Sequence, residues 1–236
     1  MAQDNDRSNF WAQISHKDWN ETADKIVQSI WRPVLGGIVV GVPTLYLVSK
    51  LLIGTRYKTA AHIPPEAFDR AQKIRGKVVA VGDSDNFRMY HTPGFGWGWI
   101  RNIPKTKKEL QNQTISVRIA GVDAPEGSHF GMPAQPYSKE AKTFLTDLVL
   151  NRRVQLQLLS RDQYGRVVGM ASVRKPPFFL RKNVSAEMLK AGLASIYTAK
   201  GAQYAGMLDQ LKSYEARAKG IWSLKKYVSP GDHKAK

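Results

Sequence analysis

Six side chains are polar where the surrounding hydrophobic pattern does not ask for polarity: Asp83, Asp85, Arg118, Asp123, Glu126 and Arg166. Carboxylates are hard oxygen donors of the kind a divalent cation takes. The planar, permanently charged fork of arginine matches a phosphate. Taken singly, each of the six is also an ordinary structural residue, since Asp belongs at turns and Arg on the wet face of a strand. Their meaning depends on the elements that carry them.

Those elements are strands first and helices later. Lys77–Val81 and Phe87–His91 are β-rich runs flanking the turn Gly82-Asp83-Ser84-Asp85-Asn86, which reads as a hairpin. Ile115, Val117 and Ile119 alternate with Ser116, Arg118 and Ala120, so a strand there buries the first set and turns Arg118 to the opposite face. Val154–Leu159 and Val167–Val173 are two further strands joined through Asp162-Gln163-Tyr164-Gly165. Three stripes have helical spacing: Tyr137, Ala141, Phe144, Leu145 and Leu148; Val184, Met188 and Ala191, stopped by Gly192; and Tyr204, Met207, Leu208, Leu211 and Tyr214, stopped by Gly220. Strands outnumbering late helices predict a small β-barrel with helices packed on it. Residues 92–113 interrupt the strands. Their Trp97 and Trp99 either stack on bases or pack the loop down, and Lys105, Lys107 and Lys108 make it basic.

The 236 residues carry 36 Lys+Arg against 19 Asp+Glu, a formal charge of +17, which points to a polyanionic partner. The absence of cysteine excludes disulfides, thiol catalysis and Cys-ligated metals. The five histidines form no metal-binding pattern. Charge is unevenly spread. Residues 1–30 are slightly acidic, and residues 61–236 hold most of the positive excess. Between them the run 34–53 has one charge, Lys50, in twenty residues, with Trp31 and Tyr57 flanking it. At helical rise it matches the hydrocarbon core of a bilayer, about 30 Å. A single transmembrane helix is therefore expected, serving as a signal anchor and binding the lipid bilayer. The acidic leader argues against a cleaved signal or transit peptide.

The segments VAVGDSDNF (79–87), VRIAGVDAPE (117–126), DQYGR (162–166) and AKGIWSL (218–224), in this order, resemble the staphylococcal nuclease (thermonuclease-like) family. With the added anchor, the chain resembles its membrane-attached mitochondrial branch in fungi. The resemblance implies an α+β fold, an OB-fold five-stranded β-barrel with three packed α-helices, over residues 76–224, with 92–113 as an insertion. The remaining parts are then a leader (1–33), the anchor (34–53), a linker (54–75) and a basic tail (225–236).

The resemblance also implies a calcium-dependent phosphodiesterase that acts on DNA or RNA and leaves 3′-phosphate products. Asp85, Asp123 and the Ala124 carbonyl match the family's Ca2+ ligands, and Arg118, Glu126 and Arg166 its catalytic residues. No obligate protein partner is implied. Membrane placement follows from the 34–53 run and mitochondrial placement from the resemblance alone. Ser84 and Asn86 stand where the bacterial pattern has Gly and Thr, which bears on metal affinity. The rival reading is a catalytically inactive nuclease fold, kept as a nucleic-acid-binding or protein-interaction module; the presence of every ionic site residue argues against it.

Overall fold

Alternation of buried and exposed side chains sets the barrel. β1 (Lys73–Asp83) buries Ile74, Gly76 and Val78, β3 (Ile115–Ile119) buries Ile115, Val117 and Ile119, and β5 (Arg153–Arg161) buries Val154, Leu156 and Leu158. With β2 (Asn86–His91) and β6 (Val167–Lys175) these strands pair in the order β3-β2-β1-β5-β6, and β6 closes back on β3 in parallel through Val117↔Val167. The result is the expected closed five-stranded barrel. A sixth strand, β7 (Leu180–Asn183), extends the sheet from β6. Two register shifts between β1 and β2 mark bulges that let β1 bend from one neighbour to the other. Closure is tight at Gly169, where a Cβ would sit 2.7 Å from the Gln157 carbonyl oxygen.

These elements come from a computed structural model, which describes residues 54–94, 97, 101–128, 133–175, 180–218 and 220–223, with residues 25, 41, 42 and 44 ahead of them. The leader, the 34–53 run and the 225–236 tail otherwise lie outside the described residues. Among the described residues no helix is long and apolar enough to cross a membrane.

Three helices of the unit from Thr55 onward match the three stripes. The first, Ser138–Val149, turns Ala141, Leu145 and Leu148 inward. The second, Val184–Lys190, is capped by the Asn183 side chain and ends before Gly192 at φ 66°. The last, Leu208–Glu215, begins four residues later than the stripe suggests. Ala205 (φ 49°) and Gly206 (φ 77°) make a left-handed turn there, and Tyr204 lies ahead of it, donating to the Tyr197 carbonyl.

The linker expected at 54–75 is corrected by the structure. Ala60, Ile63 and Ala67 are buried in the core, a short helix spans Pro65–Asp69, and β1 already begins at Lys73. Apolar residues at 60, 63 and 67 have helical spacing, and burying them against the barrel is worth more than solvating them. Arg56 donates to the Gln113 side chain and carbonyl, its guanidinium lying 3.9 Å from the Tyr90 ring centroid. Among the described residues the buried apolar side chains lie between Ala60 and Ile221, within the unit Thr55–Lys236.

The described part of the 92–113 insertion is anchored on the barrel at Trp97. Trp97 is buried, meets Tyr90 edge-on and donates to the Pro93 carbonyl. Trp99 lies outside the described residues. Under this loop His91 accepts from the Tyr57 amide at 2.8 Å through Nδ1 and stacks on the Tyr57 ring. Burial, aided by the Arg56 charge, pushes its pKa down from 6.5 to about 4. The unfolded chain therefore takes up a proton that the folded one refuses. The stability is complete above pH 6.5 and is lost as pH falls from there toward 4, by about 3 kcal/mol in all. A His91→Gln protein is expected to be less stable than the parent near neutrality. Its unfolding free energy, read from denaturant melts, should fall less between about pH 7 and pH 4, by that amount.

Candidate metal centre and active site

The acidic residues meet at one end of the barrel. Asp85 sits in the β1–β2 turn, 5% exposed, and its carbonyl accepts from the Ile119 amide. Asp123 follows β3 on a short strand, β4 (Val122–Asp123), which pairs with β8 (Ser195–Ile196) in the register Asp123↔Ser195. Glu126 lies three residues on and is less buried than the two aspartates. Carboxylate oxygens of Asp85, Asp123 and Glu126 all lie within 4.8 Å of one another. Three hard oxygen donors at that spacing fit a divalent cation. Ala124 is fully buried beside them.

Arg118 links the group. The register Asn86↔Arg118 brings it beside the Asp85 turn, and its guanidinium contacts Asp85 at 3.4 Å and Asp123 at 3.3 Å. The Tyr197 ring lies beneath it, 4.9 Å away. Next to Arg118 opens a cavity of ≈ 220 Å³, lined also by Tyr197, Lys200 and Asp162. Arg166 belongs to the same turn as Asp162, one of the residues lining that cavity. Asp162 accepts from the Arg166 amide at 2.8 Å and from its Nε at 2.6 Å. The structure thus brings Asp85, Arg118, Asp123 and Glu126 together directly, and holds Arg166 on its own turn through a lining residue of the same hollow.

Three side chains support the site through contacts that a reading of the sequence does not give. Ser84 is 1% exposed, lies outside the left-handed region, and donates from Oγ to the Pro125 carbonyl at 2.6 Å. It thereby ties the Asp85 turn to the Asp123–Glu126 loop, which a glycine there would not do. Asn86 donates to Asp85 Oδ1 at 3.1 Å. Gln135 brackets Glu126: its Oε1 accepts from the Glu126 amide at 2.8 Å, and its own amide donates to the Glu126 carbonyl at 2.9 Å. The Ser84–Pro125 and Gln135–Glu126 contacts have no sequence signature, because they join segments unrelated in spacing. Asp162 does have one, an Asp in a Gly-containing turn four residues before an Arg. Asp83 accepts from the Ser84 amide and lies outside the acidic cluster.

Replacing Ser84 by alanine should leave the buried Pro125 carbonyl without this donor. The expected loss is about 1–3 kcal/mol, read as a lower urea midpoint with unchanged m-value. An unshifted midpoint would show that the tie contributes nothing.

A closed five-stranded barrel carrying three carboxylates and a bridging arginine at the ends of its strands defines an OB-type barrel whose grouped side chains are of the kinds that can hold a cation and a phosphate. Residues 116–224 match the family model for staphylococcal nuclease homologues. A "Probable endonuclease LCL3" of Podospora anserina is 51% identical over 181 residues, covering 72% of this chain and 65% of that protein. The "Probable endonuclease lcl3" of Sclerotinia sclerotiorum is 47% identical over 216 residues, covering 83% and 80%. That of Verticillium alfalfae is 42% identical over 233 residues, covering 92% and 79%. The chain belongs to the staphylococcal nuclease homologue family.

Proposed function

We propose that this protein is a calcium-dependent endonuclease that hydrolyses phosphodiester bonds of DNA or RNA with little sequence specificity. The observation that carries this reading is the convergence of Asp85, Asp123 and Glu126 within 4.8 Å, with Arg118 contacting two of them beside an open hollow. Relatives named as probable endonucleases support it. Asp85, Asp123 and the Ala124 carbonyl would hold the cation. When bound, calcium neutralises phosphate charge and lowers the pKa of water.

The protein's own groups then divide the work. Arg118 and Arg166 clamp the non-bridging phosphate oxygens, and their hydrogen bonds strengthen as charge gathers on the pentacovalent phosphorus. Glu126, the most accessible of the three carboxylates, accepts the proton of the attacking water. The water oxygen bonds to phosphorus, the P–O5′ bond breaks, and the departing 5′ oxygen takes a proton from solvent, so the products are a 3′-phosphate and a 5′-hydroxyl. Recognition through phosphate alone carries no base information, hence the low specificity.

We also infer a single-pass anchor at residues 34–53 and a mitochondrial membrane location. The first rests on the apolar run and the second on family resemblance. Retention of the full chain in the pellet after alkaline carbonate extraction is the expected result for the anchor, and release into the supernatant would remove it.

The decisive experiment uses residues 55–236, since the structure shows Arg56 and Tyr57 built into the fold. The fragment should cleave denatured DNA with added calcium and stop when the ion is chelated. Salt-sensitive binding without cleavage under any divalent ion would instead identify an inactive binding module.

A further inference from the structure

The sheet has a second charged feature at the end remote from the acidic cluster. Lys77 on β1 is the register partner of Arg153 on β5, and Arg174 on β6 is the register partner of Arg181 on β7. The β5–β6 register Val154↔Val173 brings Arg174 beside Arg153 one step further out. Four cations therefore stand in one rung across four strands, a width of about 14 Å. Arg153, Arg174 and Arg181 are exposed and Lys77 is half-buried. Among the described residues none of the four takes part in an ion pair. Like charges directly opposite one another weaken a sheet. An arrangement that weakens the fold and lacks internal counter-charges calls for an anionic partner.

We propose that this end of the sheet is a docking surface for an anionic lipid bilayer. Two observations favour a bilayer over a nucleic acid. The aromatic side chains described near the rung, Tyr90 and Trp97, are buried and cannot act as base-stacking platforms. Finally, Arg56 lies on Tyr90, the register partner of Lys77, so the chain enters the barrel beside the rung. The apolar run inferred as the anchor ends at Ile53, three residues earlier in sequence. The choice of a bilayer rests on that anchor reading. Along β1, Lys77 and Asp83 are separated by about 20 Å, which would leave the acidic cluster facing away from the lipid.

The test uses residues 55–236, which lack the anchor, with sedimentation of vesicles made of phosphatidylcholine alone or of an equimolar phosphatidylcholine–phosphatidylserine mixture. The fragment should bind only the anionic vesicles, more weakly at high salt. A Lys77→Gln/Arg174→Gln/Arg181→Gln protein should bind them about 10²-fold less tightly, at roughly fivefold per charge. Its Tm should be unchanged or higher, because the repulsion is relieved, and its cleavage of a short oligonucleotide should match the parent. Equal vesicle binding by parent and triple variant overturns the proposal. So does a triple variant that keeps its vesicle affinity but loses affinity for long duplex DNA, which would make the rung a nucleic-acid track. Because residues 34–53 are absent from the fragment, either failure is distinct from failure of the anchor in the alkaline extraction.

Discussion

An Arg166→Ala protein is expected to cleave denatured DNA about 10³-fold more slowly than the parent, with the loss in kcat rather than KM. Asp162 sets this geometry. Its carboxylate takes the Arg166 amide and Nε at 2.8 and 2.6 Å, which fixes the root of the guanidinium and leaves its two terminal nitrogens to donate in parallel. A planar fork held in this way meets two phosphate oxygens at once, and that pairing improves as charge develops in the transition state. Arg166→Lys should therefore fail to rescue, since an ammonium is a point charge without the fork. Asp162→Asn should give an intermediate loss of about 10-fold to 10²-fold, because the guanidinium remains but its orientation is no longer fixed. Steady-state kinetics on one oligonucleotide under saturating calcium distinguish the three proteins. Near-parental kcat in the lysine variant would reduce Arg166 to a source of positive charge.

Arg118 should separate metal binding from catalysis. Its guanidinium is the cation seen against the buried Asp85 and Asp123 carboxylates, at 3.4 and 3.3 Å. Removing one partner of a buried ionic group is strongly destabilising. Arg118→Ala without calcium should therefore lose about 3 kcal/mol of stability. Added calcium should then raise its Tm by more than it raises that of the parent, because the ion takes over the neutralising role. Cleavage should nonetheless stay down by about 10³-fold, since the phosphate clamp is gone. Asp123→Asn makes the contrast: it should lose both the calcium-dependent rise in Tm and the activity. Thermal melts with calcium or chelator read the first quantity and single-turnover cleavage the second. If calcium raises the melting temperature of Arg118→Ala and parent equally, Arg118 does not neutralise the aspartates.

The two variants also separate the parts of the site that can be read in the sequence from those that cannot. Asp85, Arg118, Asp123, Glu126 and Arg166 stand in short motifs on predictable elements, so their identities are visible in one dimension. Their supports are not. Ser84 reaches Pro125 and Gln135 brackets Glu126 only because two loops meet at the barrel's end. Likewise the 54–75 segment looks like a linker by position and mixed polarity. Its small apolar residues Ala60, Ile63 and Ala67 acquire meaning only when a barrel wall is there to bury them.

By itself, then, the sequence determined the strand alternation, the three helical stripes, the positive excess of residues 61–236 and the residue types of the site. These are local properties, fixed by side-chain period and by chemistry that does not depend on distant neighbours. Only the tertiary structure decided that β6 closes on β3, that Trp97 serves packing, and that three carboxylates converge within 4.8 Å. It also decided that Lys77, Arg153, Arg174 and Arg181, scattered over a hundred residues, line up in one rung. Each of those outcomes depends on inter-strand register, which is set by burying one face of every strand together. A single sequence read along its length does not contain that pairing.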